Sequence, residues 1–154
     1  MKLAVEVLDA SDLMPKDGHG SASAFVEVGF EGQVARTQTK AKDLSPAWNE
    51  TLVFNVADPA ALPDSTIDVS VYNDRGAGGG GHHGRSFLGR VRISGASVAP
   101  SPAEAAVRRC PLDKRGLFSH IRGDIALRLY AVPDPSSPPL PHPDQNPASA
   151  SAAA

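Results

Sequence analysis

The sequence predicts an all-β protein: an eight-stranded antiparallel β-sandwich followed by a disordered, proline-rich tail. Three observations carry this. Short segments with apolar residues at every second position recur along the chain, turn-forming residues cluster between them, and the composition changes abruptly at Pro133. A length of 154 residues holds one domain and a tail, here residues 1–132 and 133–154.

The elements follow in order. Lys2–Leu8 sets Leu3, Val5 and Val7 on one face and Lys2 and Glu6 on the other, as a half-buried strand does. Asp9–Ser21, with Pro15, Gly18 and Gly20, is a loop. Ala24–Phe30 alternates again, with Val26, Val28 and Phe30 inward and Glu27 outward, and Glu31-Gly32 marks a hairpin turn. Gln33–Lys40 reads as a polar strand with one exposed face. Thr39–Glu50 reads as a tight polar connection. In it Pro46 fixes its own φ, and Asp43, Ser45 and Asn49 are suited to bonding nearby backbone. Trp48, the chain's single tryptophan, is expected to plug the core, with one N–H to satisfy. Thr51–Val56, Thr66–Tyr72, Phe87–Ile93 and Gly123–Tyr130 each place alternate apolar residues on one face. Ser101-Pro102-Ala103-Glu104 has the form of a helix start and predicts a short helical turn, with a short strand to follow over Val107–Leu112. From Pro133 the chain is too rich in proline to enter a sheet and reads as an extended linker, with a proline-rich ligand for an aromatic groove as the functional alternative.

Composition narrows the function. The net charge of −2, from 15 basic and 17 acidic residues, gives no global attraction to nucleic acid. Attraction to a membrane must come from a local patch. Cys110 is the lone cysteine, so no intrachain disulfide forms, and it reads as a small buried apolar residue. No secretory signal is expected, and no apolar run approaches the ~18–20 residues of a spanning helix. No nucleophile–base pair, phosphate loop or metal-ligand cluster stands at a recognisable spacing, so an enzyme is not expected.

Leu44-Ser45-Pro46-Ala47-Trp48-Asn49-Glu50, running into an alternating strand, resembles the central motif of a C2 domain. The opening run from Leu3 to Leu13, Phe87-Leu88-Gly89-Arg90-Val91 and the closing run from Gly123 to Tyr130 come in the order of the second C2 topology. Met14-Pro15-Lys16-Asp17-Gly18, Val71-Tyr72-Asn73-Asp74 and Leu117-Phe118-Ser119-His120 are similar to the N-terminal C2 domains of plant multiple-C2-domain-and-transmembrane-region proteins. The resemblance implies membrane tethering and trafficking, at endoplasmic reticulum–plasma membrane contacts or plasmodesmata. It places the domain in the cytosol at a membrane surface. This chain would be either a fragment of such a protein or a short relative.

Calcium-binding C2 domains draw about five aspartates from two loops, because Ca²⁺ takes 6–8 oxygen ligands. Carried over residue by residue, the resemblance leaves Asp17 as the one aligned carboxylate. Ser23, Asn73, Arg75 and Ser86 stand at the other positions, and Asp74 falls on a non-ligand position. A guanidinium beside a divalent cation is repulsive. No calcium or other cofactor is therefore expected. Two groups of cations remain as candidate lipid-binding residues. Lys16, Arg75 and Arg85 flank the loops, the third of which is glycine-rich and carries His82-His83. Arg36, Lys40 and Lys42 occupy even-numbered positions that share a face as far as the strand persists. The function expected is calcium-independent, weak docking on anionic membrane. The alternative is a protein-interaction module that binds cargo or other C2 domains.

Overall fold

Two four-stranded sheets face each other across one core. The structure, a computed structural model, describes residues 1–15, 20–75, 84–113 and 121–133. The strands are β1 (Lys2–Ser11), β2 (Ala24–Phe30), β3 (Gln33–Arg36), β4 (Ala47–Asn55), β5 (Thr66–Asp74), β6 (Arg85–Ser94), β7 (Arg108–Pro111) and β8 (Asp124–Val132). One sheet has the order β4-β1-β8-β7 and the other β3-β2-β5-β6. Every neighbouring pair is antiparallel, as the sequence predicts. Lys16 and Asp17, the glycine-histidine run at 76–83 and the proline-rich tail from 134 lie outside the described residues.

The core follows from the period of two. Leu3, Val5 and Val7 of β1, Val26, Val28 and Phe30 of β2, Ile67, Val69 and Val71 of β5, and Ile125, Leu127 and Leu129 of β8 all point between the sheets and are buried. Each such side chain contributes about 1.5–3 kcal/mol when fully buried. The hairpin at Glu31-Gly32 has both residues at positive φ, +47° and +78°, the pairing that matches strand twist in a two-residue turn.

Several strand bounds differ from the sequence expectation by one or two residues, and three differences are larger or change which way side chains point. β1 runs on to Ser11 because a bulge between Val7 and Asp9 changes the parity, after which Ala10 points inward. β4 begins at Ala47, so Trp48 and Asn49 belong to a strand and not to the connection; Asn49 takes φ +49°. β3 stops at Arg36, and Thr37 turns inward, where its Oγ1 accepts the Val26 N–H at 3.0 Å. The expected helical turn at Ser101 is a single 3₁₀ turn, Pro102–Glu104; the Ser101 hydroxyl donates to Glu104 and caps no backbone N–H.

A side-chain clamp closes one end and a close backbone approach the other. Gln33, opening β3, donates through Nε2 to the Asn55 carbonyl (2.8 Å) and accepts the Asn55 N–H at Oε1 (2.9 Å), which joins the edge strands of the two sheets. Gly123 holds φ +96° where the chain enters β8, and a Cβ there would lie 2.4 Å from the Ser11 carbonyl oxygen.

The outer face of β1 and β8 is closed by ion pairs. Glu6 accepts from Tyr130 (2.6 Å) and Arg128 (2.8 Å), and Arg109 bridges Asp9 (2.6 Å) and Asp124. The Tyr130 hydroxyl, aided by Arg128, holds the Glu6 carboxyl below its usual range, and Ser11, aided by Arg109, does the same for Asp124. Both carboxylates therefore stabilise the fold above the unfolded carboxyl range, near pH 4, and that contribution is lost as pH falls through their lowered values. Asp124→Asn should flatten the acid limb of a urea-midpoint-versus-pH curve. The change should stay below about 1 kcal/mol, since both groups are partly exposed. Gly123→Ala, combining the φ and the contact with Ser11, should destabilise by about 2–4 kcal/mol in urea titration at neutral pH.

Candidate functional site

At the end of the sandwich where β2 and β6 begin and β3 and β5 finish, a row of large side chains faces outward. Alternation puts Phe25 and Tyr72 there. Phe87, expected on one face with Val91 and Ile93, is turned out by a register shift between Val71 and Tyr72 in the β5–β6 pairing, and Leu88 enters the core instead. Phe25 of β2 lies opposite Tyr72 of β5, and Tyr72 opposite Phe87 of β6. The first pair of rings stacks with centroids 5.7 Å apart, and the second meets edge to face at 6.0 Å. Two guanidiniums lie on this row: Arg85 sits 4.1 Å above the Tyr72 ring and Arg36 5.2 Å from the Phe25 ring. Between them opens a groove of about 490 Å³, lined by Phe25, Arg36, Asp74, Gly84 and Arg85.

Stacking a guanidinium by its face leaves its edges to hydrogen-bond, and the flat fork suits phosphate or carboxylate oxygens. The groove is not a bare cationic patch, however. Arg85 Nη1 donates to Glu27 Oε2 at 3.2 Å, and Glu27 lies opposite Arg36 in the β2–β3 register. Asp74 lines the same groove and accepts from the Thr39 hydroxyl at 3.2 Å. Two carboxylates thus stand beside the two guanidiniums.

The residues at the calcium-type positions are brought together in part. Asn73 is 1% exposed, lies opposite Ser86, and accepts the Ser23 N–H at Oδ1 (2.8 Å). The Ser23 carbonyl accepts the Asp74 N–H at 2.7 Å, and the Ser23 hydroxyl accepts the Lys42 N–H at 3.1 Å. Asn73 is thereby committed to fastening the segment before β2 onto the end of β5. Arg75 follows at once, its N–H on the Gly84 carbonyl (2.9 Å) and its side chain packed over the Gly84 Cα. Among the described residues no three His, Cys, Asp or Glu side chains come together as metal ligands would.

The expected common face of Arg36, Lys40 and Lys42 does not form. Arg36 pairs with Glu27, but Lys40 pairs with Ala24 in an isolated bridge, one residue out of register. A one-residue slip exchanges the faces of a strand. Lys40 therefore stands opposite Ala24, whose side chain is buried in the core, and not on the Arg36 side. Lys42 sits in a turn at φ +51°. Of the six cations expected to bind lipid, Arg36 and Arg85 share the groove, Arg75 is beside it, Lys40 and Lys42 are separated from it, and Lys16 is outside the described residues. The aromatic row and Glu27 are the functional features that reasoning on cations alone misses. The alternation of β2 already implies that Phe25 and Glu27 face the same way.

Comparison with known proteins gives a consistent picture. The family profile for the C2 domain matches residues 1–109. Multiple C2 domain and transmembrane region protein 6 of Arabidopsis thaliana is 62% identical over 132 residues, covering 86% of this chain and 12% of the relative. Protein QUIRKY of the same plant is 47% identical over 129 residues, covering 84% and 12%. A solved C2 domain of plant extended synaptotagmin 1 superposes with a TM-score of 0.68 at 25% identity, covering 84% of this chain and 92% of that domain. The chain thus spans about an eighth of the length of the two Arabidopsis relatives.

Removing the Asn73 carboxamide would leave the Ser23 N–H without its acceptor. Asn73→Ala should destabilise by about 1–3 kcal/mol in denaturant titration.

Proposed function

This chain belongs to the C2 domain family, as the match over residues 1–109 establishes, and from that premise we propose that it docks weakly on anionic membrane without calcium. The observation that carries the reading is the pair Arg36 and Arg85 bracketing one groove on an aromatic row. Their hydrogen-bonding edges meet the oxygens of a lipid headgroup. Arg75 adds charge beside the groove, and Lys16 is the further cation that the sequence offers. Each basic residue close to an anionic leaflet contributes about 1 kcal/mol, so a few give reversible, salt-sensitive binding. Calcium independence is supported by Asn73 being a neutral, buried structural residue and by Arg75 following it. No catalytic role is proposed.

Weak docking by one module becomes useful when the module is linked to others, since a second contact then forms at high effective concentration. The name of the 62% identical Arabidopsis relative gives multiple C2 domains and a transmembrane region, and among the described residues here no helix is long and apolar enough to cross a membrane. We place this chain accordingly: the membrane-facing part of a tether, cytosolic, at endoplasmic reticulum–plasma membrane contacts or plasmodesmata, with a role in trafficking. The compensating carboxylates Glu27 and Asp74 favour a second reading, in which the groove takes a protein partner or cargo.

Liposome co-sedimentation separates these readings. Vesicles containing phosphatidylserine or a phosphatidylinositol bisphosphate should retain the protein equally with Ca²⁺ and with chelator, and neutral vesicles should not. Arg36→Ala with Arg85→Ala should abolish most of that binding, and Lys40→Ala with Lys42→Ala should reduce it less. Binding that needs Ca²⁺ would overturn calcium independence and direct attention to Asp17 and Asp74. No binding to any vesicle would leave the protein-partner reading. Isothermal titration with CaCl₂ should give no micromolar site.

A further inference from the structure

We propose that Glu27 sets the headgroup selectivity of the groove, acting as a built-in counterion that a singly charged headgroup does not displace and a phosphomonoester headgroup does. The inference rests on the membrane reading above and names the class of lipid that the groove takes. Glu27 sits on the outer face of β2, opposite Arg36 on one side and in ion-pair contact with Arg85, 3.2 Å away. Its carboxylate thus holds one edge of the Arg85 guanidinium, for which an anionic headgroup in the groove has to compete. Its side chain is 21% exposed against 44% for Arg85, so the carboxylate is the more enclosed partner, and the guanidinium keeps edge open to the groove. Tyr72 lies beneath Arg85 at 4.1 Å and favours the position in which the guanidinium also meets Glu27.

An incoming anion must therefore share or replace the bond between Arg85 and Glu27. A phosphodiester or carboxylate headgroup brings one charge to a place already holding one, and the exchange gains little. A phosphomonoester brings about −1.5 to −2 with three acceptor oxygens. It gains charge in the exchange and can bond the edges of both guanidiniums. Discrimination of this kind works by penalising the wrong ligand more than by favouring the right one.

The test compares wild type with Glu27→Gln, in chelator, on two vesicles of equal total anionic charge in phosphatidylcholine: one with phosphatidylserine, one with a phosphatidylinositol bisphosphate. Wild type should prefer the bisphosphate vesicle. Glu27→Gln should raise binding to the phosphatidylserine vesicle by roughly threefold, the scale of one partly exposed ion pair. It should raise bisphosphate binding less, so that the preference shrinks. Glu31→Gln removes the same charge from the far end of β2 and should leave the preference unchanged. An unchanged preference in Glu27→Gln, or weaker binding to both vesicles, overturns the inference while leaving the membrane reading intact. No binding of either protein to either vesicle overturns both.

Discussion

The loop end of the sandwich depends on how Leu44–Trp48 is pinned between the sheets. The Leu44 and Pro46 carbonyls accept the N–H groups of Leu13 and Ala10, each at 2.9 Å, and so carry the end of β1 past its bulge. The Trp48 indole, 5% exposed, donates to the Ala24 carbonyl of β2 at 3.3 Å. One side chain of β4 thereby fixes how the two sheets stand relative to each other where β2 begins. A large apolar body with a single directional donor is suited to this, since burial supplies the energy and the N–H supplies the placement. Ala24 is also the residue that Lys40 bridges and that Asn73 faces in the neighbouring strand. The indole bond, the Lys40 bridge and the seat of Asn73 therefore meet at one residue of β2.

The two outer faces carry charge differently. On β7 and β8 each arginine finds a carboxylate or a carbonyl: Arg108 holds the Ser97 carbonyl, Arg109 holds Asp9 and Asp124, and Arg128 holds Glu6 and the Ala105 carbonyl. That face is closed upon itself. At the groove, Arg36 and Arg85 lie on rings, and stacking leaves part of each guanidinium edge uncommitted. Arg128 too lies over a ring, Tyr130 at 5.2 Å, and Arg85 too holds a carboxylate, Glu27; the faces differ in that Arg108, Arg109 and Arg128 are each tied at two or more points.

Most of the fold was legible in the sequence because period-two alternation reports burial directly. Val26, Val28, Ile67, Val69, Val71, Ile125 and Leu127 all sit where the pattern puts them, and Trp48 is the core plug expected. Alternation fails where an extra residue enters a strand. The bulge after Val7, the shift opposite Val71 and Tyr72 in β6 and the slip after Arg36 each change parity. The slip is why parity groups Lys40 and Lys42 with Arg36 although the fold separates them. Of the site, the cations could be read from the chain but their partners could not. The contact of Glu27 with Arg85 joins residues 58 apart in sequence, and only the β2–β5–β6 register brings them together.

The clamp between Gln33 and Asn55 has a consequence for assembly. Exposed strand edges invite pairing with foreign strands, and the hazard is greatest where similar domains sit close together on one chain, as the name of the 62% identical Arabidopsis relative indicates for that protein. β4 is an edge strand, and Val53 on it is 53% exposed. A neighbour that added itself to β4 would need the main-chain groups of Asn55, which the Gln33 carboxamide already occupies with both its donor and its acceptor. One amide side chain, standing in for a ninth strand, makes that end of the sheet a poor template and favours each domain keeping to itself.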